Sequence, residues 1–139
     1  MNDKSLLETT TGNILIVDDD LVSLSFLVNL LEEQNYKVRV ALNAKKALET
    51  VKIKAPDLIL LDVNMPDMNG FDVCQRLKAS EQYREIPVIF VSASHEIVDK
   101  VKGFQVGGFD YISKPFAPEE VLARVKTHLT VSFIQEQLA

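Results

Sequence analysis

In this 139-residue sequence, five side chains able to do chemistry stand where apolar runs stop. Asp18 and Asp19 follow Ile14-Leu15-Ile16-Val17, and Asp62 follows Leu58-Ile59-Leu60-Leu61. Ser92 follows Val88 to Val91, and Lys114 lies just past Ile112. Three carboxylates brought together repel, and each raises the others' pKa unless a cation intervenes. A hard, oxygen-seeking divalent ion suits them. Mg²⁺ is the expected occupant, because no His or Cys stands at a strand end to recruit zinc. Three negative charges then face Mg²⁺ and the Lys114 ammonium, and the site balances. A balanced site with a nucleophilic carboxylate suits phosphoryl transfer, which needs mostly positioning and neutralisation of phosphoryl oxygens. In that chemistry Asp62 attacks phosphorus and becomes an acyl phosphate. Lys114 holds a phosphoryl oxygen, the Ser92 hydroxyl donates to another, and Asn64 offers its backbone carbonyl to the metal.

These residues meet only if the runs that carry them lie side by side and point the same way. Leu58 to Leu61 is apolar throughout, as in a strand buried on both faces of a helix-covered parallel sheet. Ligands of such sheets bind beyond the carboxyl ends of the strands. Between the runs the sequence reads as helices. Leu21, Leu24, Leu27, Val28 and Leu31 make one apolar face, with Asp20 suited to start it. A second stripe, Val22, Phe26 and Leu30, predicts contact with a neighbouring helix. Tyr36, Val38 and Val40 alternate with Lys37 and Arg39, which predicts an edge strand. Asn43 is placed to cap a helix with Ala44, Ala47, Leu48 and Val51 inside, and Pro56 closes that unit. Asp67 and Asn69 serve the turn before Gly70, which opens a helix with Phe71, Val73, Cys74 and Leu77 as its apolar positions.

Pro87 to Val91 is the fourth strand. Ser94 is placed to cap a helix bearing Ile97, Val98, Val101 and Phe104, which Gly107-Gly108 stops. Phe109 to Ile112 is the fifth strand. Pro118, at a first helical position, with Glu119 and Glu120 after it, starts the last helix. Five strands alternating with five helices predict a doubly wound α/β fold.

Length fits one domain, and 47% hydrophobic with 25% charged residues is ordinary for a globular chain. A net charge of -5 disfavours nonspecific binding to nucleic acid or anionic membranes. No apolar run reaches the length of a membrane span, and residues 1–12 read as a polar tail unlike a secretory signal. A cytoplasmic location is expected, and the single Cys74 reads as apolar filler on a helix. His95 and His128 read as surface residues, not phosphocarriers. Lys45, Lys46, Lys52 and Lys54 read as a solvated helix face.

Taken together, D-D after the first strand, L-L-D-V-N-M-P-D-M-N-G at the third, V-S-A at the fourth and D-Y-I-S-K-P-F at the fifth resemble the receiver domain of two-component response regulators. The resemblance covers about residues 13–129. It implies a flavodoxin-like sheet in the order 2-1-3-4-5 flanked by five helices, with Asp62 as phosphoacceptor and Asp18 and Asp19 as the acidic pair that binds Mg²⁺. Lys114 is then the lysine of the K-P-F motif, preceding a cis bond to Pro115. Ser92 is the hydroxyl residue that reorients after phosphorylation, and Tyr111 the aromatic switch whose ring moves inward with it. The implied donor is a histidine kinase or a histidine phosphotransfer protein.

Three other readings compete. A phosphohydrolase of the haloacid-dehalogenase type needs a second acid two residues past the nucleophile, where Asn64 stands and cannot shuttle a proton. A flavodoxin-like cofactor binder needs a Gly-rich or Ser/Thr-rich phosphate loop, which is missing. A receiver-like interaction module that is never phosphorylated would not need the full motif set. On the last helix Val121, Leu122, Val125, Leu129 and Phe133 form one face, expected to dock on the sheet or the first helix. Val131, Ile134 and Leu138 form another. Residues 130–139 are therefore expected to fray, to continue as a linker or coiled coil, or to pair with a second copy as a homodimer.

Overall fold

The structure is a computed structural model that describes residues 12–94 and 96–138. The expected tail, apart from Gly12, and His95 lie outside the described residues. Strands and helices alternate: β1 (Asn13–Val17), α1 (Leu21–Glu32), β2 (Lys37–Ala41), α2 (Ala44–Ile53), β3 (Leu58–Asp62), α3 (Gly70–Lys78), β4 (Val88–Ser92), α4 (Ile97–Gln105), β5 (Asp110–Ser113) and α5 (Pro118–Leu138). The sheet has the order β2-β1-β3-β4-β5, and every neighbouring pair is parallel. Among the described residues, fold class, strand order and helix count match the expectation.

Side chains alternate across a strand, so each apolar run feeds two cores. Leu15, Val17, Ile59, Leu61, Val88 and Phe90 face α2 and α3, where Ala47, Val51, Val73, Cys74 and Leu77 complete one core. Ile14, Ile16, Leu58, Leu60, Ile89, Val91 and Ile112 face α1 and α5, where Leu24, Leu27, Leu31, Val121, Val125 and Leu129 complete the other. The expected inner faces of α2, α3 and α5 therefore dock as read, with Leu48 and Leu122 half-buried. Burial of the Cys74 thiol pushes its pKa up to about 11, as befits apolar filler.

Several expectations fail in detail. Leu21 was expected on the inner face of α1, but it stands at the first position of the helix and is 68% exposed. In the second stripe Leu30 packs against the core shared with α5, but Phe26 stacks on Phe116 in the loop after β5, with ring centroids 5.9 Å apart, and Val22 is exposed. Ser94 is not the N-cap of α4. Glu96 takes that place without a side-chain bond, while Ser94 Oγ accepts from the Glu96 amide at 3.3 Å and donates to Asp99 at 2.5 Å.

The apolar residues of α4 are not a buried face either. Ile97 is 77% and Val98 72% exposed, since α4 approaches the sheet through Gly103. A Cβ on Gly103 would already touch the Phe90 ring at 3.0 Å. Phe133 is only half-buried, because the far end of α5 runs past the core. Val131, Ile134 and Leu138, on the other face, are exposed.

Candidate functional site

The register fixes which residues share the carboxyl edge of the sheet. Val17 pairs with Leu61, so Asp18 follows its strand level with Asp62. Asp62 pairs with Val91, which puts Ser92 next along, and Ser92 pairs with Ser113, which puts Lys114 just beyond. All the residues read from the sequence as candidates for one site thus reach one end of the molecule.

Asp18, Asp19 and Asp62 each offer an oxygen within 4.8 Å of the others; Asp18 and Asp62 are buried, and Asp19 is exposed. Lys114 Nζ donates to Asp18 Oδ2 at 2.8 Å and lies 3.9 Å from Asp62 Oδ2. Asp18 Oδ1 accepts from the Asp20 amide at 2.9 Å, which turns the chain into α1. Asp20 caps α1, as expected, taking the Val22 amide at 3.0 Å and the Ser23 hydroxyl at 3.0 Å. The assignment of Asp18 and Asp19 to the cluster and of Asp20 to the helix therefore follows from the geometry.

Burial, followed by the charge of Asp18, pushes the Asp62 carboxyl up to about 7; Lys114 and the Asn64 amide pull the other way without prevailing. The Asn64 amide lies 3.3 Å from Asp62 Oδ1. One lysine cannot neutralise three acids. An all-oxygen cluster with excess negative charge fits a hard divalent cation such as Mg²⁺.

The loop after β3 needs a glycine at position 70. A Cβ there would stand 2.2 Å from the Asp62 carbonyl oxygen, while the Gly70 amide donates to Val63 O at 2.7 Å. Asn69 caps α3 through the Asp72 amide at 2.9 Å. Ser92 is fully buried, and its Oγ accepts from the Ser94 amide at 3.2 Å. The Tyr111 ring is buried beside Phe90, with centroids 6.3 Å apart, and its hydroxyl donates to Ser94 O at 3.4 Å. The Lys114 to Pro115 bond is cis, as expected.

Two side chains had other roles than those read. Asp67 was expected to serve only its own turn; beyond the amides there, its oxygens accept from the Ala44 and Lys45 amides at the start of α2. No sequence signal names a partner so far along the chain. His128 was read as a surface residue, but it is half-buried on α5 with Nε2 3.0 Å from Asp110 Oδ2. Arg124 Nη1 holds both oxygens of the same carboxylate, at 2.7 and 2.8 Å. The spacing of Arg124 and His128, one helical turn apart, was the available signal.

A parallel five-stranded sheet carries an acid cluster and a lysine at its carboxyl edge, an arrangement suited to phosphoryl chemistry on a carboxylate. Residues 14–126 match the response regulator receiver domain. The chain belongs to that family, the phosphoacceptor switches of two-component signalling. It is 44% identical over 117 residues to the DNA-binding dual master transcriptional regulator RpaA of Synechocystis sp., a match that takes in 84% of this chain and 48% of that protein. Among solved structures, a CheY-like response regulator receiver domain protein from Methanospirillum hungatei JF-1 superposes with a TM-score of 0.84 at 27% identity, covering 91% of this chain and 99% of that one. A BeF3-activated DrrB receiver domain superposes with a TM-score of 0.79 at 33% identity, covering 87% and 99%. The chain spans about half the length of the curated relatives it matches. Among the described residues no helix is long and apolar enough to cross a membrane.

Proposed function

We propose that Asp62 is the phosphoacceptor of this receiver and that it takes its phosphoryl group from a phosphohistidine on a histidine kinase or a histidine phosphotransfer protein. The observation that carries this reading is the meeting of Asp18, Asp19 and Asp62 beside Lys114 at one sheet edge. An Asp62 oxygen attacks phosphorus, an O–P bond forms, and the P–N bond to the donor imidazole breaks, its electron pair returning to the ring nitrogen. Lys114, released from part of its duty to Asp18, pairs with a phosphoryl oxygen. The Ser92 hydroxyl proton is free to be donated to another.

Asp18, Asp19 and Asp62, with the Asn64 carbonyl, would hold Mg²⁺, which supplies the positive charge that three carboxylates and a phosphoryl group require. Ser92 and Tyr111 report the event, because both contact Ser94 in the segment leading to α4. Asn64 gives no acid for fast turnover, so the chain is an acceptor that loses its phosphoryl group slowly to water and not a phosphatase. Residues 13–129 make up the receiver, working in the cytoplasm, and contact neither nucleic acid nor membrane directly.

The exposed Val131, Ile134 and Leu138 support a role for residues 130–139 in carrying α5 onward or pairing it with a second copy. Truncation after Thr130 tests this by light scattering, and an unchanged molar mass counts against self-association. The main test is mass spectrometry after incubation with acetyl phosphate and Mg²⁺. One phosphoryl group is expected on the wild type and none on Asp62→Asn. Equal labelling of Asp62→Asn would sink the assignment.

A further inference from the structure

The loop between β3 and α3 forms one wall of the acid cluster, since it continues from Asp62 and carries Asn64. Most of its hydrogen bonds return to its own surroundings. The Gly70 amide goes to Val63, the Asn64 amide to Asp62, and Asn69 to the Asp72 amide. Asp67 differs. It is exposed, yet Oδ1 accepts from the Ala44 amide at 3.0 Å and Oδ2 from the Lys45 amide at 3.0 Å. Among the described residues these are the hydrogen bonds that tie the loop to another element.

A helix leaves its first amides without partners inside itself. In α2 the Lys46 amide is served from within, by Asn43 Oδ1 at 2.8 Å, and the two amides before it are served by the loop. The opposite wall of the cluster rests on the same segment, because the Asp18 amide donates to Ala41 O at 3.1 Å. Ala41 to Lys45 thus carries Asp18 at one end and Asp67 at the other.

We propose that Asp67 is a positioning residue for phosphoryl transfer: by bonding the loop after β3 to the start of α2, it sets the spacing between the Asp62–Asn64 wall and the Asp18–Asp19 wall of the acid cluster. The role rests on the reading of Asp62 as acceptor. Its consequence is that the cluster takes a divalent cation readily only while the loop is held against α2. Side chains that orient metal ligands from outside the coordination sphere commonly act in this way.

The test compares the whole chain with Asp67→Ala and with Asn43→Ala. Both substitutions strip hydrogen bonds from the same helix end, so both lower thermal stability, but only Asp67→Ala releases the loop. Mg²⁺ is titrated against each protein without a phosphodonor, following backbone amide shifts by NMR. The Mg²⁺ concentration at half-saturation is expected to rise about tenfold in Asp67→Ala and to stay at the wild-type value in Asn43→Ala. Asp67→Asn, which keeps one acceptor oxygen, is expected to fall between, and it carries the comparison if Asp67→Ala does not fold. Labelling by acetyl phosphate is expected to recover in Asp67→Ala at saturating Mg²⁺, which separates cation affinity from chemistry. Equal midpoints in the Asp67 and Asn43 variants would overturn the proposal. Failure of the wild type to label would defeat the reading of Asp62 instead, while the Mg²⁺ titration would still judge the role of Asp67.

Discussion

Asp62 and Asp110 sit at opposite edges of the sheet, each largely withdrawn from solvent and each beside a cation, yet they are poised in opposite directions. At the carboxyl edge, burial and the neighbouring Asp18 push Asp62 up, and Lys114 at 3.9 Å does not reverse this. At the amino edge, burial also works to raise Asp110, but hydrogen bonds from Arg124, His128 and the Tyr111 amide outweigh it and hold the carboxyl below its usual range. The two edges differ in how their charges are matched. Both oxygens of Asp110 accept from Arg124 Nη1, and the His128 imidazole stands beside one of them. Asp62 shares one ammonium with Asp18, which holds it more closely, at 2.8 Å. The first arrangement ties β5 to α5; the second is left wanting positive charge and is therefore ready to receive it.

The contrast is broken most completely by Asp62→Asn. Phosphoryl labelling should vanish, and without divalent cation the variant should gain roughly 2 kcal/mol at pH 7, because a disfavoured buried charge is removed. Urea unfolding in the presence of chelator measures the gain. Gly70→Ala strikes the same edge by another route. The added Cβ meets the Asp62 carbonyl, a backbone atom that cannot step aside, and a loss of about 2 kcal/mol or more is expected, along with impaired labelling.

Asp110→Ala should cost about 2 kcal/mol by leaving Arg124 and His128 without their shared acceptor. Labelling of Asp62 should be unaffected, since that acid lies at the far edge. If labelling fell with stability, the two edges would not be independent.

Dependence on pH sharpens the comparison, because the two acids have opposite signs. The folded-state pKa of Asp62 lies above its unfolded value of 3.8, so the folded chain binds the extra proton. Metal-free protein should therefore lose stability as pH rises from about 4 to about 7, and Asp62→Asn or added Mg²⁺ should flatten that slope. For Asp110 the folded pKa is depressed, so its contribution is present above about pH 4 and is lost as pH falls below that. Asp110→Asn should remove this acid-side loss alone. The smallest effect expected is that of Asn43→Ala, about 1 kcal/mol from the lost cap of α2, with labelling intact.

The residues of the site were legible because each stands at or just past the end of an apolar run, and a parallel sheet brings the ends of such runs to one edge. Asp20 and Asn43 were legible as caps because capping is a matter of three or four neighbouring residues. Ser94 misled for the same reason: the local pattern suits a cap, but α4 begins later, at Ile97. The exposed side of α4 was not legible either. Ile97, Val98, Val101 and Phe104 have the spacing of a buried stripe, and only the close approach at Gly103 turns them outward.

By itself, the sequence determined the alternation of strands and helices, the two-faced burial of the central strands and the gathering of Asp18, Asp19, Asp62, Ser92 and Lys114 at one edge. Each of those follows from periodicity and chain direction. Tertiary structure decided how the charges are shared: that Lys114 favours Asp18 over Asp62, that Arg124 and His128 converge on Asp110, and that Asp67 reaches across to α2. Such pairings depend on distances between residues far apart in the chain, which packing sets and local pattern does not encode.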